Sequence, residues 1–146
     1  VGHVILTDLP DNLKLLERNC RANQLAMDAY TISALDWNHD DDVIMPTTRK
    51  IDVIVASDVF LPFVPHLLRP LCNTIYKLLL QQQDQHCNNN NHHKPRAIVC
   101  YEERFDCNDF FVRAQELGLV VERVPETFLH DVYRDVDRIK LVSLTL

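Results

Sequence analysis

The first twenty residues pair an apolar run with the start of a helix, and this pairing limits how the chain can fold. Val4 to Leu6 form an unbroken apolar run, and an acid, Asp8, closes the segment. Such a run predicts a strand buried on both faces, as in a parallel sheet. Pro10 and Asp11 then open a predicted helix, whose apolar residues recur at helical spacing as Leu13, Leu16 and Cys20. An acid at the carboxyl end of a parallel strand lies where doubly wound folds bind nucleotides and typically accepts hydrogen bonds from ribose hydroxyls.

Glycine is scarce in this chain, which has only Gly2 and Gly118. Average usage would give roughly ten in a chain of this length. A doubly wound fold carries its glycine-rich turn about twenty residues before the ribose-binding acid. Here seven residues precede Asp8, and the sequence contains neither GxGxxG nor a P-loop. The residues given therefore provide no glycine turn that could cradle a phosphate.

Composition narrows the class of protein. The 146 residues suffice for one domain, and 47% hydrophobic with 25% charged residues is ordinary for a soluble globular protein. A net charge of -6 argues against a nucleic-acid partner, and no apolar run approaches the ~20 residues of a membrane span. Five scattered cysteines without a CxxC pair favour reduced thiols, and hence a cytoplasmic or nuclear protein. These features do not predict an oligomeric state.

Strands and helices alternate along the rest of the chain. This order predicts a single α/β domain over residues 1–146 with a Rossmann-like, doubly wound, mostly parallel sheet. The last two strands are predicted to form an antiparallel pair at the sheet edge. Gly118 is predicted to cap the carboxyl end of a helix over residues 109–117. Further strands are predicted over 30–35, 51–58, 97–101, 119–124 and 139–146, and helices over 67–79 and 109–117.

Two polar tracts are predicted to be solvated loops. Residues 81–95 include the low-complexity run QQQDQHCNNNNHH, which predicts a loop insert without a role in the core. Four side chains in this run are of types that bind metals, but the intervening asparagines and the lack of a second ligand pair argue against a metal site. These side chains are His86, Cys87, His92 and His93. The acidic run Asp40 to Asp42 is predicted to be a solvated loop. The alternative, that it attracts a basic substrate segment, is less favoured.

Five short motifs occur in one order along the chain: LTDLP, LDW, SDVF, YEER, and FF shortly before LG. In this order they resemble the class I S-adenosylmethionine-dependent protein methyltransferases of the lysine-methyltransferase-like group. The resemblance implies S-adenosylmethionine as cofactor, a protein substrate and methylation of lysine. It also implies a seven-stranded sheet whose last strand is inserted antiparallel. The six predicted strands match the second to seventh, so the first strand, between those ending at Asp8 and Asp58, is missing and the chain is expected to be a partial domain.

The resemblance assigns roles to seven residues. Asp8 matches the acid that holds the cofactor ribose, and Asp36 and Trp37 match the adenine site. Ser57 matches the border of the methyl-donor pocket. Three residues are implied on the catalytic and substrate side, namely Asp58, Tyr101 and Arg104.

Each assignment has a structural alternative. Asp8 and Asp58 could instead cap a helix and a loop, and Trp37 could be ordinary core. Glu102, Glu103 and Arg104 could form a solvated charge cluster, which is the favoured interpretation for Glu103. The chain also departs from the family pattern at Leu61, where the family usually carries tyrosine, although Phe60 is adjacent.

Two other functions remain open at the level of sequence. The chain could be a non-catalytic, methyltransferase-like binding module, since Leu61 and the absent glycine turn both depart from the family. A nicotinamide-dependent Rossmann enzyme is less favoured, because it explains neither LDW nor SDVF. The isolated 146-residue chain is expected to bind S-adenosylmethionine poorly. It is also expected to be marginally stable and prone to associate through open strand edges at 4–7 and 53–56.

Overall fold

The computed structural model describes residues 2–38, 50–86, 94–134 and 138–146, which fall into two compact units, Val1–Pro46 and Thr47–Leu146. The single domain expected over 1–146 stays a prediction. The first unit contains β1 (Val4–Asp8), α1 (Leu13–Ala22) and β2 (Tyr30–Ala34). The second contains β3 (Val53–Ser57), α2 (Leu68–His86), β4 (Arg96–Glu102), α3 (Asn108–Glu116), β5 (Val120–Arg123), α4 (Asp131–Arg134) and β6 (Ile139–Thr145).

The first unit is a parallel pair of strands joined by a helix. β1 runs parallel to β2, with Val4 opposite Tyr30 and Asp8 opposite Ala34. A 3-10 turn, Pro10–Asn12, leads into α1, as the proline at its first position favours. Cys20 is buried, and Leu13 and Leu16 on the same helical face are half-buried. The helix predicted from their spacing is therefore confirmed.

The second unit contains a four-stranded sheet in the order β3-β4-β6-β5. β3 and β4 are parallel, whereas β6 lies between β4 and β5 and is antiparallel to both. This arrangement confirms the predicted antiparallel strand pair at the end of the chain. Helices α2 and α3 pack against each other. The fully buried side chains of this unit include Phe60, Cys72, Thr74, Ile75, Leu79, Val99, Phe110 and Leu144.

The strand order confirms the predicted fold class, a Rossmann-like α/β arrangement with parallel and antiparallel pairs. Among the described residues the strands form two separate sheets, β1-β2 and β3-β4-β6-β5. The family resemblance places its first strand between β1 and β3, and that placement stays a prediction.

The expectation that β1 is buried on both faces is wrong, and the apolar strand β3 is not buried on both faces either. Val4 in β1 is exposed, and Val55 in β3 is 74% exposed. Each of the two strands has one hydrogen-bonded neighbour within the described part of the chain, so each is an edge strand. An apolar edge of this kind is prone to pair with other chains. The expected association of the isolated chain is consistent with these edges and stays a prediction.

The low-complexity tract begins as helix rather than as loop. α2 continues to His86, so the first six residues of the predicted 81–95 loop are helical. Gln82 is 3% exposed, and its side-chain oxygen accepts a hydrogen bond of 3.0 Å from the backbone N–H of Ile51. A buried glutamine with a partner can sit in a helix without an unsatisfied polar group. Residues 87–93 and the acidic run 40–42 lie outside the described residues.

Four cysteines in the described residues are free thiols: Cys20, Cys72, Cys100 and Cys107. Burial raises the pKa of the Cys72 thiol to about 11, so this side chain stays protonated and unreactive at neutral pH. Within the same residues, no helix combines the length and the apolar character needed to cross a membrane.

Gly118 ends α3 in the left-handed conformation, with φ +76°, as the sequence predicted. Its N–H donates to the Gln115 carbonyl at 3.0 Å, and the N–H of Leu119 donates to the Ala114 carbonyl at 2.9 Å. These two bonds define a Schellman cap. A β-carbon added at Gly118 would meet nothing within 4 Å, so the cost of a side chain there is one of backbone conformation alone.

We therefore expect Gly118→Ala to lower the free energy of unfolding by about 1–2 kcal/mol. Gly2→Ala is the matched control, since a β-carbon there also meets nothing within 4 Å and no positive φ is involved. The control should change stability by less than about 0.5 kcal/mol. Urea denaturation of the complete natural chain measures both, and equal effects of the two substitutions would contradict the cap.

Candidate functional site

A cleft of about 410 Å³ opens at the carboxyl ends of β3 and β4. Open α/β sheets bind ligands in the crevice outside the carboxyl ends of their strands. The cleft combines charged groups with apolar walls, so it can take a ligand with both characters. Its lining residues are Ser57, Asp58, Cys100, Tyr101, Glu102, Arg104, Leu129 and Ile139.

The strand register places these residues side by side. Ser57 lies opposite Cys100 in the parallel pair, and the N–H of Asp58 donates to the Cys100 carbonyl at 2.9 Å. Glu102 lies opposite Ile139, because β6 runs antiparallel and starts where β4 ends. The cleft is thus formed by two strand ends and one strand start at the same edge of the sheet.

Asp58 adopts a backbone conformation that few residues other than glycine use. Its φ is +54°, in the left-handed region, which aspartate and asparagine enter more readily than other residues. Its side chain is 62% exposed, and its one contact among the described residues is an ion pair with Arg104. The carboxylate accepts no backbone N–H there, so the structure does not support the alternative that Asp58 merely caps a loop.

Arg104 connects two carboxylates across the cleft. Its Nε donates to Glu102 Oε2 at 2.6 Å, and its Nη2 lies 2.5 Å from the same oxygen and 3.4 Å from Asp58 Oδ1. The hydrogen bond from Arg104 is the main cause that lowers the pKa of Glu102, and the same bond raises the pKa of Arg104. Arg138 lies 3.9 Å from the other Glu102 oxygen. These charges are therefore paired with one another, although the side chains of Arg104, Asp58 and Arg138 remain exposed to solvent.

Tyr101 forms a rigid, aromatic wall of the cleft. It is 8% exposed, and its ring centroid is 4.5 Å from that of Phe60, which is 1% exposed. Burial raises the pKa of the Tyr101 hydroxyl, so it stays neutral at physiological pH. Phe60 is packed in the core and Leu61 does not line the cleft. Neither residue therefore replaces the tyrosine that the family pattern carries at position 61.

In the first unit, the predicted cofactor residues gather at one edge of the two-stranded sheet. The N–H of Leu35 donates to the Asp8 carbonyl at 2.9 Å, which places Asp36 and Trp37 just beyond the end of β1. The Asp36 carboxylate accepts the N–H of Asn38 at 2.9 Å. Trp37 is half-buried and lies in the turn after β2, so it is not ordinary core.

Asp8 stabilises the start of the helix and still has one carboxylate oxygen available. Its Oδ1 accepts the N–H of Leu9 at 2.7 Å and the side-chain amide of Asn12 at 2.9 Å, so it does stabilise the start of the helix. Its Oδ2 has no partner within the described residues, and the side chain is exposed. A free carboxylate oxygen at the end of a parallel strand fits an acceptor for ribose hydroxyls. The residues present are thus compatible with a nucleoside cofactor.

The structure brings together four of the seven predicted site residues in one cleft, Ser57, Asp58, Tyr101 and Arg104. The other three lie together in the first unit, and the role of each of the seven stays a prediction. Sequence reasoning did not single out Cys100, Leu129 and Ile139. The strand register could have indicated Cys100 and Ile139, whereas nothing in the sequence marks Leu129, which comes from the loop between β5 and β6.

Metal ligands form no cluster among the residues that the structure describes. No group of three histidine, cysteine, aspartate or glutamate side chains there is placed to hold an ion. Of the four side chains considered for a metal site, Cys87, His92 and His93 belong to residues outside that part of the chain.

Comparison with known proteins identifies the family. Residues 2–116 match the model of the family described as lysine methyltransferase. This match covers most of the chain, which therefore belongs to the lysine methyltransferase family. The protein is thus of the S-adenosylmethionine-dependent methyltransferase class, and its cofactor is S-adenosylmethionine. No curated protein sequence matches the chain.

The solved structures that resemble the chain include two methyltransferases. One is a TehB-like SAM-dependent methyltransferase from Corynebacterium glutamicum, with a TM-score of 0.57 and 15% identity, over 98% of this chain and 67% of that one. The other is a putative methyltransferase from Thermoplasma acidophilum, with a TM-score of 0.48 and 12% identity, over 99% of this chain and 57% of that one. The first similarity shows a shared fold.

The pKa of Glu102 offers a test of the charge pairing in the cleft. It should lie below its usual value of 4.5, and Arg104→Gln should move it back toward that value by removing the hydrogen-bond donor. A carboxyl with a lowered pKa in the folded state stabilises the protein above about pH 4.5, and this contribution is lost as the pH falls through the lowered pKa.

An NMR titration of the side-chain carboxyl carbon of Glu102 in the complete natural chain makes this measurement. Lys140→Gln is the control, because Lys140 lies 3.9 Å from Glu103 and leaves the Arg104 hydrogen bond in place. An unchanged pKa of Glu102 in the Arg104 variant would show that the bond does not form in solution.

Proposed function

We propose that the natural protein containing this chain transfers a methyl group from S-adenosylmethionine to a lysine side chain of a protein. The observation that carries this proposal is the cleft, where two carboxylates and a buried tyrosine ring border the same space. Carboxylates attract cations by Coulomb interaction, and an aromatic face adds a cation–π attraction. An alkylammonium group and a sulfonium group are both cations of the kind that such walls favour.

On the cofactor side, we assign Asp8 to the ribose hydroxyls. Its Oδ1 is engaged by Leu9 and Asn12, so Oδ2 is the oxygen that would accept the ribose hydrogen bonds. Asp36 and Trp37 would border the adenine, the first through hydrogen bonding and the second through its ring face. The cofactor supplies an activated methyl group on a positively charged sulfur.

On the acceptor side, we assign Asp58 to the lysine. Its exposed carboxylate binds the incoming ammonium and takes up the proton that the amine must lose before its nitrogen lone pair can attack carbon. The cofactor would supply the methyl carbon, and attack by the nitrogen lone pair would break the carbon–sulfur bond, whose electron pair would stay on sulfur. Tyr101 is held by its aromatic neighbours and keeps water away from one side of the cleft. Positioning of this kind accounts for much of the rate in such transfers.

A non-catalytic binding module is the second candidate. It is favoured by Leu61 and by the burial of Phe60, because no aromatic residue of this loop reaches the cleft where the family carries tyrosine. In that case the cleft would bind a basic segment of a partner protein without transferring a methyl group. Cofactor binding and methyl transfer separate the two candidates.

Asp8→Asn tests the cofactor side without disturbing the helix start. Asparagine keeps an oxygen for Leu9 and Asn12 but replaces the second acceptor oxygen by a donor. We expect its affinity for S-adenosylmethionine to fall by at least about ten-fold, the range for a lost hydrogen bond to a charged group. Calorimetry on the complete natural chain measures this, with Asp11→Asn in the same turn as control. Equal affinity of the two variants would contradict the assignment.

Asp58→Asn tests the acceptor side. Asparagine tolerates the left-handed backbone at least as well as aspartate, so the fold should persist. We expect methyl transfer to fall on the order of 10²-fold, as for the loss of a general base. The assay follows tritium from labelled S-adenosylmethionine into protein lysine in cell extract.

Asp52→Asn is the control for this assay, since Asp52 is an exposed acid just before the other end of β3. Its transfer rate should match that of the unmodified protein. Cofactor binding without transfer to any protein by the unmodified chain would favour the binding module instead.

A further inference from the structure

Arg104 occupies the position beside Asp58 that a substrate cation would take. Its Nη2 lies 3.4 Å from Asp58 Oδ1, inside the cleft that both residues line. Among the described residues no other cation pairs with this carboxylate. A lysine ammonium that approaches Asp58 must therefore compete with a guanidinium that is already there.

The two ends of the Arg104 bridge are unequal. Toward Glu102, the guanidinium makes a hydrogen bond of 2.6 Å through Nε and a second close contact through Nη2. Toward Asp58 it makes one looser ion pair, and the two side chains are 40% and 62% exposed. Exposed ion pairs with such geometry contribute little to stability. The contact with Asp58 is therefore the weaker one and breaks first.

Glu102 does not depend on Arg104 alone. Its second oxygen lies 3.9 Å from Arg138, so it keeps a cation partner on that side. Arg104 can turn away from Asp58 while it keeps its bond to Glu102, and no carboxylate in the cleft is then left unpaired once an ammonium arrives. The exchange replaces one cation by another at Asp58 and leaves the net charge of the pair unchanged.

We infer that Arg104 is a specificity-determining residue that holds Asp58 in the absence of substrate and is displaced from it by the substrate's alkylammonium group. The inference rests on the proposed function in that the substrate is taken to be lysine. Arg104 sets the affinity for that cation by competing with it, rather than by contacting it. A weakly basic or uncharged acceptor cannot replace the ion pair that Asp58 loses with Arg104, so such acceptors are disfavoured.

Arg104→Gln should therefore strengthen the binding of the substrate cation, whereas removal of an attractive contact would weaken it. It leaves Asp58 without a competing cation, so the KM for a lysine-containing substrate should fall by about two- to five-fold, the range for one exposed ion pair. Arg138→Gln is the matched control. It removes the same charge from the other side of the same Glu102 but leaves the Arg104–Asp58 pair intact.

The KM in the control should change by less than about two-fold, since long-range effects of one surface charge are screened by salt. A KM that rises in Arg104→Gln, or that falls equally in both variants, would overturn the inference. Arg104→Met is the second variant in case the first does not fold. It removes the cation but keeps a long unbranched side chain, so its KM should also fall, and an unchanged or higher KM would count against displacement.

A binding experiment separates this inference from the proposed function. N-acetyl-lysine methylamide is titrated into the complete natural chain and its two variants, and binding is followed by NMR. Tighter binding to Arg104→Gln than to Arg138→Gln supports displacement even if no methyl transfer is found, in which case the proposed function alone fails. Methyl transfer with equal probe affinities in the two variants overturns displacement and leaves the proposed function standing.

Discussion

The parallel pairing of β3 with β4 determines where the residues of the cleft lie. Ser57 opposite Cys100, and the bond from the Asp58 N–H to the Cys100 carbonyl, bring both strand ends to one edge. β6 inserts beside β4 in the opposite direction, so its first residue, Ile139, lies at that same edge. A shift of β3 by one residue along β4 would separate Ser57 from Cys100 and turn the side chains of β3 to the other face of the sheet, which would dismantle the cleft.

A cluster of aromatic rings supports this edge from the core. Phe60 packs 4.5 Å from Tyr101 and 4.8 Å from Phe110 between ring centroids, and Phe111 lies 5.9 Å from Tyr101. Phe60 therefore anchors the loop that follows Asp58, whose strained backbone needs such support. The family pattern places a tyrosine one residue later. In this chain the aromatic side chain of that loop, Phe60, packs in the core. The groups that line the cleft include charged side chains instead.

The sequence predicted elements better than it predicted surroundings. Hydrophobic periodicity and the caps at Pro10 and Gly118 located the strands and helices, because these signals are local. The exposure of Val55 was not predictable, since an apolar strand has the same sequence pattern whether or not another element covers it. The helical continuation of α2 through a glutamine-rich run was missed. The hydrogen bond found there, from Ile51 to Gln82, joins residues far apart in the sequence, so no local pattern indicates it. The family resemblance indicated Asp58 and Arg104 separately, but their ion pair depends on side-chain geometry that no motif encodes.

The proposed function requires S-adenosylmethionine to bind at the carboxyl ends of the strands. Hydrogen–deuterium exchange of the complete natural chain, with and without S-adenosylmethionine, tests it most directly. Bound S-adenosylmethionine should slow exchange in the segments that follow β1 and β2, residues 9–12 and 35–38, and should change little along α3. Protection confined to α3 and the exposed face of α2, or no protection at a saturating concentration of S-adenosylmethionine, would contradict it.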